Sequence, residues 1–357
     1  MRQFIYRSQP AHVVFGEGTL SELGPAIETV GGRRALLLST PGQAQQARVA
    51  TAAVAAIVGH FDGATMHTPI EVTQRALAAA QDAKADCLVA FGGGSTIGLS
   101  KAIALRTDLA QVVIPTTYAG SEMTAILGQT ENGRKTTLRS PKVLPELVIY
   151  DVALTLGLPV AMSGVSGINA IAHAVEGLYA QDANPILEMM ALSGVKALAG
   201  ALPRIAQQPS DVEARSEALY GAWLCGTVLG LAGMAIHHKL CHTLGGLFAL
   251  PHAETHAIVL PHAVAYNSEA APQAMQHLAA ALGGGEPAQA LYDLGRAVGA
   301  PAALRDIGMP GGGIDRAADQ AVENPYWNPR QVERAGVRAL IAQAWAGKPP
   351  ATGLFTP

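Results

Sequence analysis

Short, almost wholly apolar runs recur through the first 150 residues, at 13–15, 35–38, 87–91, 112–115 and 147–150. Between them lie stretches such as 76–84 and 96–105, where apolar residues fall at helical spacing. A run that is apolar at consecutive positions suits a strand buried on both faces, so this half predicts a parallel α/β sheet covered by helices. From about residue 158 the texture changes. Long Ala- and Leu-rich stretches at helical spacing, for example 185–201 and 213–224, replace the β-branched runs, and the second half predicts an all-helical domain. The expected domains are therefore 1–157 and 158–357. Glycine- and proline-rich clusters at 284–287 and 310–313 read as turns between helices, too short for linkers.

One uncharged run of 19 residues, 218–236, has the length of a membrane span. It holds Gly221, Gly226, Gly230 and Gly233 and passes directly into His237, His238 and Lys239, which favours a buried helix. No membrane association is expected.

Composition narrows the class. A chain of 357 residues has room for roughly two domains. It is 49% hydrophobic and 14% charged, which excludes intrinsic disorder and supplies a large core. The net charge of −3 comes with no basic patch, so nucleic acid is not an expected partner. Cys87, Cys225 and Cys241 lack CxxC spacing and suit a reducing compartment, hence a cytoplasmic protein. Residues 1–10 have neither the apolar stretch of a secretory signal nor the Arg-rich pattern of a transit peptide, so no cleaved leader is expected.

Three segments carry candidate chemistry. The apolar run 87–91 enters Gly92, Gly93, Gly94 and Ser95, then a helical stretch. Glycines let a backbone turn tightly beside a ligand, and the free N–H groups at a helix start favour a pyrophosphate, with Ser95 or Thr96 as the helix cap. Ile97 breaks the G-x-G-x-x-G spacing, so an ordinary strand–helix turn is the alternative. A hydroxyl-rich segment, Thr116, Thr117, Tyr118 and Ser121, follows the next strand at the edge where open α/β sheets bind ligands, with a ligand-free turn as the other reading. After the run 35–38 come Ser39 and Thr40, with no acidic residue to bond an adenosine ribose, so NADPH stays open beside NADH.

Six of the eleven histidines fall between 237 and 262: His237, His238, His242, His252, His256 and His262. His238 and His242 are four apart, on one face of a helix, and Asn169 and His173 repeat that spacing. Two helices converging on a metal or acid–base site is the expectation, with His237, His256 and His262 as caps or solvated residues.

These motifs resemble the iron-containing alcohol dehydrogenase family. The resemblance rests on residues 92–95, Thr116 to Glu122, Asp151-x-x-Leu154-Thr155-x-x-Leu158-Pro159, and His238-x-x-x-His242 followed by Pro251-His252, and spans nearly the whole chain. Within the family the pattern of residues 115–124, with Asn169-Ala-Ile-Ala-His173, is most similar to the maleylacetate reductases. The resemblance implies the dehydroquinate synthase-like fold, a dinucleotide-binding α/β domain plus an all-α domain, and a homodimer. It implies cofactor contacts from Gly92, Gly93, Gly94, Ser95, Thr116, Thr117, Ser39 and Lys135. Metal-dependent members hold their ion with one Asp and three His, and those positions here are Asn169, His173, His238 and His252. A neutral amide replaces the carboxylate, so a weak or absent metal site is expected. The family's Asp in the glycine loop is replaced by Gly98.

The implied reaction is reduction of an enone dicarboxylate by NADH or NADPH, in aromatic-compound catabolism, with no metal required. His173, His238 and His252 then line a substrate pocket, with His242 as candidate proton donor. Lys239 either pairs with a substrate carboxylate or is solvated, Tyr118 either bonds substrate or packs, and Lys135 contacts cofactor or lies on the surface. A metal-dependent alcohol or glycerol dehydrogenase is the first alternative, and a non-catalytic cofactor-binding protein the second.

Overall fold

The computed structural model describes residues 12–131, 134–324 and 326–351 with Phe4, Tyr6 and Ser8, leaving out the side chains of Arg134 and Lys135. The chain divides into two compact units, Ser8–Leu158 and the part from Pro159 onward.

The described strands of the first unit are β1 (His12–Gly16), β2 (Ala35–Leu38), β3 (Ile57–Phe61), β4 (Cys87–Gly92), β5 (Ala110–Pro115), β6 (Ile126–Glu131), β7 (Arg134–Arg139) and β8 (Leu147–Asp151). Six form a sheet in the order β1-β8-β5-β4-β2-β3, every neighbouring pair parallel. Alternation sorts their side chains to two faces. Leu37, Val89, Phe91, Ile114 and Ile149 join α1 (Leu23–Thr29) and α2 (Ala44–Thr51) in one core, while Leu36, Leu38 and Leu88 meet α3 (Ile70–Asp82) and α4 (Gly94–Thr107) in another. That two-sided burial is why the runs at 35–38 and 87–91 are apolar throughout.

Two features lie outside the apolar pattern. Strand β3, at the sheet edge, is half-buried and interrupted by Gly59 and His60. The antiparallel hairpin β6–β7 is largely polar, with Gln129, Thr130, Thr136 and Thr137 among its residues. Helix α3 also begins six residues before the expected 76, because Pro69 caps a first turn whose burial alternates with exposed Glu71.

The hydroxyl-rich segment after β5 is held by Lys101 of α4. Its fully buried Nζ donates to Ser121 O at 2.6 Å, Thr124 O at 2.7 Å, Thr124 Oγ1 at 2.9 Å and Ile126 O at 3.0 Å. Burial pulls the amine down to about 7, opposed by the carboxylate of Glu122. Four oxygens around a three-hydrogen ammonium are the compensation for its desolvation.

The second unit is helical: α5 (Val160–Leu178), α6 (Pro185–Gln207), α7 (Val212–Leu231), α8 (Ile236–Phe248), α9 (His252–Asn267), α10 (Pro272–Ala281), α11 (Pro287–Ala297), α12 (Ile314–Val322) and α13 (Arg334–Ala346). Helix α5 is at its centre, buried without interruption from Ser163 to Gly177 and packed on α6, α7 and α9. Close approach depends on small residues, since a Cβ on Gly167 would lie 2.6 Å from Leu202, and one on Gly177 would collide with Val228. The uncharged run 218–236 is not one helix. It breaks after Leu231, and α7 and α8 meet at a bend of 92°. Among the described residues α6 alone is by length and composition able to cross a membrane as one straight helix.

Replacing Lys101 by Met removes the buried donor shared by Thr124 O and Ile126 O, leaves Ser121 O and Thr124 Oγ1 with only their local bonds, and takes the cation from beside Glu122, and the unfolding free energy in urea is expected to fall by about 3 to 5 kcal/mol. A loss below roughly 1 kcal/mol, the worth of one ordinary hydrogen bond, would show that the amine does not hold this segment.

Candidate functional site

Strand β4 delivers its last residue, Gly92, to the start of α4, where Gly93 is the N-cap and its carbonyl accepts from the N–H groups of Thr96 and Ile97 at 3.0 and 3.1 Å. The expected Ser95 or Thr96 cap is corrected: no side chain caps this helix, and Thr96 Oγ1 is buried without a partner. The reason is spatial. A Cβ on Gly92 would fall 2.5 Å from Thr96 Oγ1, so the threonine fills the room that the glycine leaves. A Cβ on Gly93 would fall 2.8 Å from Thr117 Oγ1, which brings the hydroxyl segment against the loop, while Gly94 stays exposed at the first turn. Bare backbone at a helix start with an open approach fits a pyrophosphate.

The other expected cofactor residues are placed as follows. Thr116 is buried, its Oγ1 accepting from Gln43 Nε2 at 2.8 Å and its N–H bonding Gly92 O at 3.1 Å. Ser39 Oγ is 2.8 Å from His60 Nε2 and donates to Thr40 O, so both neighbours hold this hydroxyl. Lys135 belongs to β7, but its side chain lies outside the described residues. At Gly98 a Cβ would fall 2.6 Å from Thr68 Oγ1, so the adjoining loop occupies the place where the family's aspartate would start. Tyr118 is fully buried. Asp151 accepts from the N–H groups of Gly18, Leu20 and Ala153 at 2.9–3.0 Å, a structural role at the same sheet edge.

In the second unit Asn169, His173 and Glu176 follow at i, i+4 and i+7 along α5, one face of a buried helix. Glu176 decides the rest. Helix α8 has Ala235 as its N-cap and no side-chain cap of its own, and the Glu176 carboxylate accepts from Ala235 N at 3.0 Å and His237 N at 2.7 Å. The same carboxylate takes His238 Nδ1 at 2.6 Å. An anion at a helix N-terminus is favoured by the free N–H groups and the helix dipole. It also fixes the proton of His238 on Nδ1, leaving Nε2 for a ligand.

The imidazoles form a connected cluster. Ring centroids lie 5.2 Å apart for His173 and His238, 6.3 Å for His238 and His242, and 6.3 Å for the stacked pair His242 and His252. His173 and His238 are buried, whereas His242 and His252 are exposed. Burial, reinforced by His238 and His252, pushes His173 well below the ordinary histidine range, so it is neutral at physiological pH. Asn169 Oδ1, His173 Nδ1 and His238 Nε2 are all buried without partners. Three such atoms, on Asn169 and His173 one turn apart along α5 and on His238 beside His173, mark a place where a polar ligand binds.

One expectation needs correction. His237, His256 and His262 neither cap nor face solvent: all are buried, and His262 is pushed down to about 4 by burial. Lys239 places its Nζ 5.5 Å over the Tyr326 ring. The sequence reading also passed over Glu176, although its position one turn beyond His173 on the same face was available as a signal.

Comparison with known proteins identifies the assembly. The family model for iron-containing alcohol dehydrogenase matches residues 10–152, and that for the C-terminal part of the Fe-containing alcohol dehydrogenase family matches 163–345. The chain belongs to the iron-containing alcohol dehydrogenase family. It is an oxidoreductase of that fold. It is 55% identical over 351 residues to a maleylacetate reductase of Rhizobium sp. (strain MTP-10005), covering 98% of this chain and 100% of the relative. A crystal structure of maleylacetate reductase from Agrobacterium tumefaciens superposes with a TM-score of 0.95 at 54% identity, covering 98% of this chain and all of that one. An iron-containing alcohol dehydrogenase from Corynebacterium glutamicum gives 0.94 at 42% identity, with both chains fully covered.

The family's metal invites a test of fit. The four corresponding positions here offer one amide oxygen and three imidazoles, all neutral as donors, so a divalent ion would find no anionic ligand. The one anion at hand, Glu176, is already engaged with the start of α8 and with the Nδ1 side of His238. Among the described residues, the only His, Cys, Asp or Glu trio with ligand atoms within 4.8 Å of one another is His237, Cys241 and His256, not the imidazoles of the family site. The residues present do not fit an aspartate-type iron centre.

Glu176→Gln keeps the shape but turns an amide toward N–H donors and frees the His238 tautomer. Turnover is expected to fall about 10- to 100-fold with the circular dichroism unchanged. Wild-type turnover in the variant would remove Glu176 from its orienting role.

Proposed function

We propose that the protein is a maleylacetate reductase, reducing the carbon–carbon double bond of maleylacetate to give 3-oxoadipate with NADH or NADPH. The observation that carries this reading is the buried group of Asn169 Oδ1, His173 Nδ1 and His238 Nε2, polar, unpartnered and without a carboxylate. The 55% identity to a maleylacetate reductase over nearly the whole chain supports it. The glycine loop at Gly92, Gly93 and Gly94, with Thr116 and Thr117 beside it, is the proposed dinucleotide site. A reduced nicotinamide bound to this protein supplies the hydride, which adds to the carbon β to the ketone.

The resulting enolate spreads its charge over oxygen and carbon, so hydrogen-bond donors suffice where an isolated alkoxide calls for a Lewis acid. We therefore read the reaction as independent of a resident metal. His173, His238 and His252 bind the dianionic substrate, and a proton delivered to the carbon next to the ketone completes 3-oxoadipate. His242 is the proposed proton donor, being exposed and able to exchange with solvent while its ring lies 6.3 Å from both His238 and His252. A cytoplasmic homodimer acting on a small dicarboxylate belongs to the same reading, supported by the family resemblance and the free state of Cys87, Cys225 and Cys241.

With maleylacetate in the presence of chelator, one equivalent of reduced cofactor is expected to be oxidised per substrate. Loss of turnover on chelation, restored by iron or zinc, would instead make the protein a metal-dependent alcohol dehydrogenase, and cofactor binding with no turnover would make it a silent binding protein. Asn169→Asp is expected to raise the metal content of the purified protein, read by elemental analysis.

Gly93→Ala places a methyl against Thr117 at the pyrophosphate approach, and a rise of about tenfold in the KM for reduced cofactor is expected, equivalent to ~1.4 kcal/mol of binding. An unchanged cofactor KM would move the phosphate site elsewhere.

A further inference from the structure

His237 and His256 are fully buried and share a hydrogen bond of 2.9 Å between His237 Nε2 and His256 Nδ1. Each has one nitrogen left, His237 Nδ1 and His256 Nε2, and both atoms are buried without a partner. The His256 ring lies 4.3 Å from that of His252 and 5.0 Å from that of His238, so it belongs to the same cluster. Cys241 Sγ is 3.8 Å from His237 Nε2.

Two arrangements compete for these atoms. A soft cation on His237 Nε2, Cys241 Sγ and His256 Nδ1 would force protons onto His237 Nδ1 and His256 Nε2, leaving two buried N–H groups without acceptors. It would also have to ionise a thiol that burial and Glu176 push well up. The hydrogen-bonded dyad strands at most one N–H. In a neutral pair that shares this hydrogen bond, one proton lies between the rings and one on an outer nitrogen.

If His256 donates, the outer proton sits on His237 Nδ1, where no acceptor reaches it. If His237 donates, His237 Nδ1 keeps a bare lone pair and His256 carries its proton on Nε2. Either way one N–H and one lone pair stay unpaired by the protein, but only His256 has its ring against both His252 and His238, so a proton on its Nε2 is the one that lies within the imidazole cluster proposed to bind substrate. His238 differs: with its Nδ1 taken by Glu176, its Nε2 donates only when the ring carries two protons.

We propose that His256 is a further substrate-binding residue, donating from Nε2–H to a carboxylate of the dicarboxylate substrate, and that His237 is the positioning residue that holds it in that tautomer. This rests on the proposed reading of the site as a dicarboxylate pocket. The cluster then offers a donor independent of the protonation state of His238, as an anionic substrate requires.

The test uses the full chain labelled with 15N-histidine. In imidazole correlation spectra the His256 signal, identified by its absence in His256→Gln, is expected to report the Nε2–H tautomer and to shift when 3-oxoadipate is added. An Nδ1–H tautomer, or a signal that the diacid leaves in place, overturns the proposal. In kinetics His256→Phe is expected to raise the KM for maleylacetate about 10- to 100-fold, the worth of a hydrogen bond to a charged group, with a smaller rise in His256→Gln. The KM for cofactor stays within about twofold in both, since a general loss of structure would move the two constants together. His237→Phe is expected to fall between, because His256 survives without its orienting partner. An unchanged KM for maleylacetate in His256→Phe overturns the assignment, as does zinc uptake by the wild type that Cys241→Ser abolishes. Absence of any maleylacetate turnover in the wild type would count against the functional reading alone, while the tautomer and its response to the diacid are read independently.

Discussion

The helical unit is organised around one buried carboxylate. Glu176 accepts from two backbone N–H groups at the start of α8 and from His238 Nδ1, all within 3.0 Å. Burying a carboxylate away from water is costly, and only a convergent set of donors offsets it. Those donors belong to a helix start that has no side-chain cap of its own, so each side supplies what the other lacks. Where α8 begins, how His238 is turned and which of its nitrogens meets a ligand all follow from this contact.

That constraint shapes the electrostatics of the pocket. With Glu176 already matched by its donors, the remaining polar atoms of Asn169 and His173 present no formal charge, and burial keeps His173 neutral. A neutral polar pocket of low dielectric strengthens hydrogen bonds to an incoming anion without first having to release a counter-ion. Such a pocket is suited to a delocalised enolate. It is poorly suited to a localised alkoxide, whose charge is most effectively offset by a full positive charge in contact with it.

The legibility of the chain follows from where burial is two-sided. Strands β2, β4, β5 and β8 are covered on both faces and stand out as apolar runs, and the change of texture at about residue 158 marks the onset of helix. Strand β3 and the β6–β7 hairpin lie at an edge or face solvent, so their composition carries no such signal. In the site, the spacing of Asn169 with His173 and of His238 with His242 showed which residues share a helix face. It did not show depth. His237 and His256 are as buried as any core leucine, and their mutual hydrogen bond joins residues 19 apart in sequence across α8 and α9, which periodicity within one helix cannot display. Glu176 escaped for a related reason, because two of its partners are backbone groups, which leave no mark on a sequence, and the third, His238, lies 62 residues away on another helix.

The two departures from the family's pattern differ in physical kind. At Gly98 the cause is steric, since Thr68 stands where a side chain would begin. At Asn169 the cause is charge. A carboxylate there would be a second buried anion on the face of α5 that carries Glu176, about 10 Å along the axis at 1.5 Å per residue. Without a cation between its ligands, that second carboxylate would have to take up a proton or bear its desolvation unpaired. With a cation bound, the balance reverses and the carboxylate becomes the favoured ligand. The residue at 169 is therefore tied to the presence or absence of an ion, and an amide is the choice consistent with a pocket whose charge is already balanced before substrate arrives.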